Sequence, residues 1–139
     1  MSPKTVLVSA ALLGATAVVA GAFAAHGLKA TLSASLLNAF TTGAHYQLQH
    51  SAVLLGIGVL LLIKPEWRGL NSSARMFVLG VLLFSGSLYA LALTGVTKLG
   101  IITPFGGVFL IGGWVLLGVS VWRGAASVRH SSQHKSEIK

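Results

Sequence analysis

Charged residues along the chain are separated by long apolar stretches. Four intervals contain no charged side chain: residues 5–28, 30–63, 76–97 and 99–122. About 20 apolar residues of helix cross the hydrocarbon core of a bilayer, so each interval is long enough to do so. The pattern predicts four transmembrane helices, at about residues 6–25, 46–63, 76–93 and 105–122.

The second interval is too long for one span, and its first part has a mixed composition. Leu32, Leu36, Leu37 and Phe40 recur at helical spacing among serine, threonine and asparagine residues. This spacing places the four apolar side chains on one helix face. Residues 31–43 are therefore expected to form an amphipathic helix at the membrane interface or between spans.

Together these elements predict an all-α fold, an integral membrane four-helix bundle with a short amphipathic helix between transmembrane helices 1 and 2. Residues 1–122 are expected to form a single transmembrane domain, and residues 123–139 a polar basic tail. A cleaved signal peptide is the alternative interpretation of the first span. Its apolar run of about 20 residues is longer than the 7–15 residues usual for a signal-peptide core, which favours a retained span.

Composition then narrows the classes of function. Of 139 residues, 10 are Lys or Arg and 2 are Asp or Glu, so that 9% are charged, against about a quarter in a soluble domain. The absence of cysteine excludes disulfide frameworks, zinc ribbons, thiol catalysis and iron–sulfur clusters. Glu66 and Glu137 cannot supply the paired carboxylates of glycosidases or two-metal enzymes. No catalytic residues can be named, and neither an enzyme nor a cofactor is expected.

The distribution of positive charge predicts the orientation of the chain. Cytoplasmic loops of membrane proteins carry an excess of Lys and Arg. With four spans, both termini and the middle loop share one side, which holds eight of the ten basic residues: Lys4, Lys64, Arg68, Arg75, Arg123, Arg129, Lys135 and Lys139. Lys29 and Lys98 lie on the other side. Both termini are therefore expected in the cytoplasm.

The net charge of +8 has a consequence for binding partners. It favours membrane lipids as partners, with anionic lipid at the cytoplasmic face. Nucleic acid is not expected, because the chain has no soluble module with a basic face. A second copy of the chain or another membrane protein remains a further candidate partner.

Small residues predict where the spans pack, because helices in a bilayer associate by close fit and hydrogen bonds. They recur at steps of three and four in the first and third spans and cluster in the fourth. The expected packing glycines are Gly14, Gly21, Gly86, Gly106, Gly107 and Gly113. A self-association face is the alternative use of these residues.

Polar side chains within the spans gather in the half expected to face outward. A polar group inside a bilayer is costly without a partner, so these residues should face one another. The candidate ligand-binding cluster comprises His26, Tyr46, Gln47, His50, Ser85, Ser87, Tyr89 and Thr103.

Four interpretations of this cluster remain open. The first is a hydrogen-bonded network that fixes helix register, and the second is a pocket for a lipid head group, a quinone or a small solute. The third is haem or metal ligation by His26 and His50, as in a redox membrane protein. The fourth is a small-solute transporter or an oligomeric pore, which the absence of charged residues inside the spans disfavours.

Several sequence blocks resemble those of a known family. They are GAFAAHGL at residues 21–28, FTTGAHYQ at residues 40–47 followed by His50, FSGSLYALALTG at residues 84–95, and ITPFGG at residues 102–107 followed by Gly113 and Trp114. In this order they resemble the YgdD-like family of small inner-membrane proteins, to which human transmembrane protein 256 is related. Ala24 stands where the family usually has glycine. The resemblance implies a four-span protein of the bacterial inner membrane and carries no established activity.

Overall fold

A computed structural model describes the backbone of residues 1–136 and the side chains of residues 1–126. It contains four long α-helices: α1 (Pro3–Phe23), α2 (Ala34–Ile63), α3 (Leu70–Thr94) and α4 (Thr103–Ser136). A π-helical turn at Ala24–Leu28 follows α1, and a 3-10 turn at Thr97–Ile101 precedes α4. Residues 1–136 contain no β-strand. The predicted tail at residues 123–139 lies partly outside the described residues.

Local sequence signals set the helix ends. Ser2 caps α1 by accepting a hydrogen bond from the Thr5 amide at 3.1 Å, and Pro3 follows at the first helical position, where its missing N–H costs nothing. Gly69 and Gly95 flank α3 with φ angles of 100° and 71°. Glycine enters this left-handed region without steric strain, so the chain can turn sharply on either side of α3.

The expected amphipathic segment is helical, but it is the first part of α2 and not a separate helix. No proline or left-handed residue interrupts the chain between Ala34 and Ile63, so the backbone hydrogen bonds continue without a break. Leu36, Leu37 and Phe40 belong to an apolar cluster with Ala24 of the π-helical turn and Ala92 of α3. The segment is thereby part of the bundle.

The helices pack in chain order, α1 on α2, α2 on α3 and α3 on α4. The main core joins all four helices, with members such as Val6, Leu54, Phe77 and Leu110. Met1, Leu60, Trp67 and Leu117 pack around the same core. The chain's N-terminus and the loop between α2 and α3 therefore lie at one end of the bundle, called here the N-terminal end.

Large apolar side chains cover the outside of the bundle. Leu12 and Val19 on α1 and Val115 and Trp122 on α4 are mostly exposed, as expected for surfaces that face lipid. All four helices are long and apolar enough to cross a membrane. Helices α2 and α3 bury a larger share of their residues than α1 and α4 do, which makes them the inner pair.

Glycines allow the closest helix contacts. A methyl group at Gly106 would collide with the backbone of Phe84, so α4 crosses α3 at nearly backbone contact. Gly14 lies against Ser51, and Gly113 against the ring of Phe77.

The other three expected packing glycines have a different environment. A methyl group at Gly21, Gly86 or Gly107 would meet nothing within 4 Å. Gly58 and Gly80, which the sequence did not single out, lie instead against Leu7 and Leu110 of neighbouring helices. Spacing at three and four residues marks one face of a helix, but it does not tell which glycine on that face meets a neighbour.

Candidate functional site

The side chain of Gln47 joins three helices near the middle of the bundle. Its amide nitrogen donates to the backbone carbonyl of Leu13 at 2.9 Å and to the hydroxyl of Thr16 at 2.7 Å, both on α1. Its amide oxygen accepts a hydrogen bond from the hydroxyl of Tyr89 on α3 at 2.9 Å. Gln47 itself is buried, with 6% of its surface exposed. Thr16, Gln47 and Tyr89 are called here the polar network.

Backbone carbonyls of α1 determine the direction of every hydrogen bond in the polar network. A carbonyl oxygen can only accept, so the Gln47 amide must present its N–H₂ group to Leu13. The Thr16 hydroxyl donates to the carbonyl of Leu12 at 2.8 Å and therefore accepts from Gln47. Tyr89 must then donate to the Gln47 oxygen. Each donor is used, and the remaining lone pairs on Gln47 and Tyr89 are acceptors.

Gly43 makes room for this arrangement. It lies one turn before Gln47 on the same face of α2, and a methyl group there would lie 3.0 Å from the ring of Tyr89. The Tyr89 ring also packs on Phe40, with ring centroids 4.7 Å apart. Because Gly43 has no side chain, the phenol lies close against α2 and its hydroxyl reaches Gln47.

His50 forms a second polar contact, one turn along α2. Its Nδ1 lies 2.7 Å from the carbonyl of Tyr46, which can only accept, so Nδ1 carries a proton. The indole N–H of Trp114 on α4 donates to His50 Nε2 at 3.3 Å, so Nε2 is the acceptor. This pairing describes a neutral imidazole whose two nitrogen atoms are both in use.

Aromatic rings enclose His50. The Phe77 ring centroid lies 5.5 Å from that of His50 and 5.5 Å from that of Trp114. Tyr46 stacks on Phe84 with centroids 4.4 Å apart. These contacts link α2, α3 and α4 through ring packing as well as through the hydrogen bond.

The candidate serines and threonine make no hydrogen bond to the polar network. The hydroxyls of Ser87 on α3 and Thr103 at the start of α4 are 2.7 Å apart, so this pair joins these two helices. Ser85 is buried at 1% exposure, and its hydroxyl has no hydrogen-bond partner among the described residues.

His26 does not converge with His50. It is exposed, in the π-helical turn after α1. Ser51, the neighbour of His50, lies against Gly14, and the 12 residues from Gly14 to His26 correspond to about 18 Å along a helix. The two histidines are too far apart to ligate one metal ion or haem iron. Among the described residues there is also no group of three or more metal-ligating side chains.

The position of the cluster along α2 also differs from the expectation. The sequence placed the start of the second span at Tyr46, with its polar residues at the outer end. In the structure, 12 residues of α2 precede Tyr46, which adds about 18 Å of helix. Gln47 and His50 therefore lie near the middle of α2, because the helix expected at residues 31–43 is continuous with the span expected from Tyr46.

A groove opens beside the polar network, between α1 and α3. Its volume is about 300 Å³. Its lining is formed by Leu13, Thr16, Gln47, Val81, Leu82, Gly86 and Tyr89. The groove, called here the α1–α3 groove, thus has apolar walls and the polar network at its base.

Two residues of the site escaped the sequence prediction, Thr16 and Trp114. Thr16 is the one hydroxyl residue in the middle of the first span, and that isolation is a usable signal. Trp114 lies in the middle of α4, whereas tryptophan in membrane proteins prefers the interface. An indole N–H group at that depth requires a hydrogen-bond acceptor, which is His50.

These features define the class of protein: a four-span integral membrane protein whose helices meet at an uncharged polar core. The family described as "Protein of unknown function (DUF423)" matches residues 20–107. The chain belongs to this family.

Relatives match over nearly their whole length. The UPF0382 membrane protein SSP2132 of Staphylococcus saprophyticus is 39% identical, over 86% of this chain and 98% of its own. The UPF0382 inner membrane protein YgdD of Escherichia coli is 37% identical over 88% and 93%, and YwdK of Bacillus subtilis is 35% identical over 84% and 95%. No solved structure matches the chain. The resemblance noted from the sequence blocks is thus confirmed.

Proposed function

We propose that this protein is a non-catalytic binding protein of the membrane, which holds the polar end of a small amphiphile in the α1–α3 groove. The observation that carries the proposal is the polar network at the base of a groove with apolar walls. A volume of about 300 Å³ is at the lower end for ligand pockets. It suits a polar end group and the first part of its chain, with the remaining chain lying among the lipids.

The hydrogen bonds of the polar network favour one chemical class of ligand. All donors on Gln47, Thr16 and Tyr89 are used within the protein, and the free positions are acceptors. A ligand must therefore donate, as a hydroxyl does. A hydroxyl-bearing lipid or a quinol fits this requirement, whereas a quinone, which only accepts, does not.

A catalytic role has less support. The polar network and His50 together offer amide, hydroxyl, phenol and neutral imidazole groups. His50 would have to break its contact with Tyr46 or Trp114 before it could act as an acid or base.

The proposed orientation places both termini in the cytoplasm. Eight of the ten basic residues lie on that side of the four spans, in agreement with the preference of cytoplasmic loops for Lys and Arg.

A pair of matched probes tests the binding proposal. Hexadecanol and its methyl ether have nearly the same shape, but only the alcohol donates a hydrogen bond. Binding to the full-length protein in mild detergent is measured by native mass spectrometry. We expect the alcohol to bind about tenfold more tightly than the ether, since one hydrogen bond to a buried acceptor is lost.

Gly86 supplies a variant that leaves the polar network intact. It lines the groove, and a methyl group there meets nothing within 4 Å, so Gly86→Leu should fold normally and obstruct the groove. Gly107→Leu is the matched control, because Gly107 also faces open space but lies on α4. Loss of alcohol binding in Gly86→Leu alone supports the proposal. Equal binding of alcohol and ether, or unchanged binding in Gly86→Leu, contradicts it.

A further inference from the structure

A second pocket lies at the N-terminal end of the bundle, between the loop after α2 and helix α4. Its volume is about 200 Å³. Its lining is formed by Glu66, Trp67, Arg68, Arg123 and Gly124. The pocket shares no residue with the α1–α3 groove.

Trp67 lines this pocket, and its indole carries a hydrogen-bond donor that is not used within the described part of the chain. Its indole Nε1 is buried and has no hydrogen-bond partner among the described residues. A methyl group at Gly124 would collide with the indole ring, so the ring packs directly on the backbone of α4. A buried N–H group without an acceptor is costly and rare. An acceptor atom supplied by a ligand would remove that cost.

The charges around Trp67 favour an anionic ligand of low charge. Arg68 and Arg123 are exposed cations, and no ion pair joins either of them to Glu66 in the described part of the chain. Two cations and one anion leave a net charge of +1 at the pocket. A monoanion neutralises this charge, whereas a dianion would exceed it and be repelled by Glu66.

We propose that this pocket binds the phosphodiester of a membrane phospholipid headgroup. Arg68 and Arg123 pair with the phosphate oxygens, and the Trp67 indole donates to one of them. Glu66 accepts a hydrogen bond from the hydroxyl or ammonium group of the headgroup. The pocket lies where α2 ends at Ile63 and α3 begins at Leu70. The ends of membrane-spanning helices lie at the depth of the lipid headgroups.

Inorganic phosphate shares part of this chemistry, so the experiment must separate the two sources. Full-length protein in mild detergent is titrated with phosphatidylglycerol, and bound lipid is measured by native mass spectrometry, with and without an excess of inorganic phosphate. Gly86→Leu serves as the background chain, so that lipid in the α1–α3 groove does not contribute. We expect one tightly held lipid that phosphate does not displace.

Three substitutions test the residues. Arg68→Gln and Arg123→Gln should each weaken lipid retention about fivefold. Trp67→Phe keeps a ring on Gly124 and removes only the N–H group. It should weaken retention with no change in the melting temperature of the lipid-free protein.

Two variants, one at an arginine and one at a lysine outside the pocket, serve as controls. Arg75→Gln removes a cation at the same end of the bundle, and Lys98→Gln removes one at the opposite end; neither residue lines the pocket. Both should retain lipid as the background chain does. The proposal is overturned if Arg75→Gln loses as much lipid as Arg68→Gln, if Trp67→Phe has no effect, or if inorganic phosphate displaces the lipid.

Discussion

The hydroxyl of Tyr89 on α3 donates to the amide oxygen of Gln47 on α2 at 2.9 Å, across 42 residues of sequence. Because Gln47 also donates twice to α1, this one contact connects α3 to a hydrogen-bonded pair of neighbouring helices. In a bilayer such bonds have few competitors, since lipid tails supply neither donors nor acceptors.

Removing the Tyr89 hydroxyl should destabilise the bundle. Tyr89→Phe leaves the Gln47 oxygen without its donor, and the expected loss is about 1 kcal/mol in the free energy of unfolding. Denaturation with SDS in mixed micelles measures it. Tyr46→Phe is the matched control, because the Tyr46 hydroxyl has no hydrogen-bond partner among the described residues and should be dispensable. Equal stability of the two variants would contradict the role given to Gln47.

The contact between His50 and Trp114 predicts a single tautomer of the imidazole. Nitrogen NMR of the histidine-labelled protein in micelles at neutral pH should show a protonated Nδ1 and an unprotonated Nε2 at His50. A proton on Nε2 would show that the Trp114 indole is not its donor.

The free energy of unfolding of variants at the two tryptophans of α4 tests the contact between His50 and Trp114 independently. Trp114→Phe removes the donor to His50 and should lower the free energy of unfolding by about 1 kcal/mol. Trp122, which is 75% exposed, is the control position, where replacement by Phe should have little effect. His50→Leu leaves both the Trp114 N–H and the Tyr46 carbonyl without a partner side chain, and it should destabilise the bundle more than Trp114→Phe does.

Two adjacent glycines of α4 should respond in opposite ways to alanine. A methyl group at Gly106 collides with the backbone of Phe84, whereas one at Gly107 meets nothing within 4 Å. Gly106→Ala should therefore cost about 1–3 kcal/mol, because α4 must move away from α3. Gly107→Ala should be neutral or slightly stabilising, since alanine is the better helix former. Similar melting temperatures for the two variants would contradict the close contact between α3 and α4 at Gly106.

The proposed orientation can be tested without background labelling, because the chain contains no cysteine. Single cysteines at Ser2 and Lys98 lie at opposite ends of the bundle. With a membrane-impermeant maleimide applied to intact cells, Ser2→Cys should stay unlabelled and Lys98→Cys should react. The reverse pattern would invert the orientation. Labelling of Ser2→Cys after cell lysis confirms that the residue is reactive once accessible.

Charge spacing was sufficient to predict the four helices. Lys29, Lys64, Arg75 and Lys98 bound the apolar intervals, and hydrocarbon leaves a single chain of that length few options other than helix. The separation of the amphipathic helix from the second span was predicted wrongly, since the serine and threonine residues at 33–42 suggested a separate helix, whereas Ala34–Ile63 is continuous. Those hydroxyls are accommodated within the helix, as when Thr41 donates to the carbonyl of Leu37 at 2.9 Å.

The candidate site was predictable only in part. Gln47, His50 and Tyr89 stood out because polar side chains are costly in a bilayer, but their partners Thr16 and Trp114 lie 31 and 64 residues away from the residues they contact. His26 stood out equally and remains outside the network. Local pattern marks which groups require a partner and contains no information on which distant group will supply it.

The sequence by itself thus determined that this protein crosses a membrane four times, and that four intervals long enough to span it contain no formal charge. Those properties follow from the cost of moving charge and unpaired backbone groups into hydrocarbon. Only the tertiary structure decided that Gln47 meets Tyr89 and Thr16, and that His50 meets Trp114. These pairings depend on the rotation and axial shift of whole helices, which contacts such as Gly106 on Phe84 and Gly58 on Leu7 set.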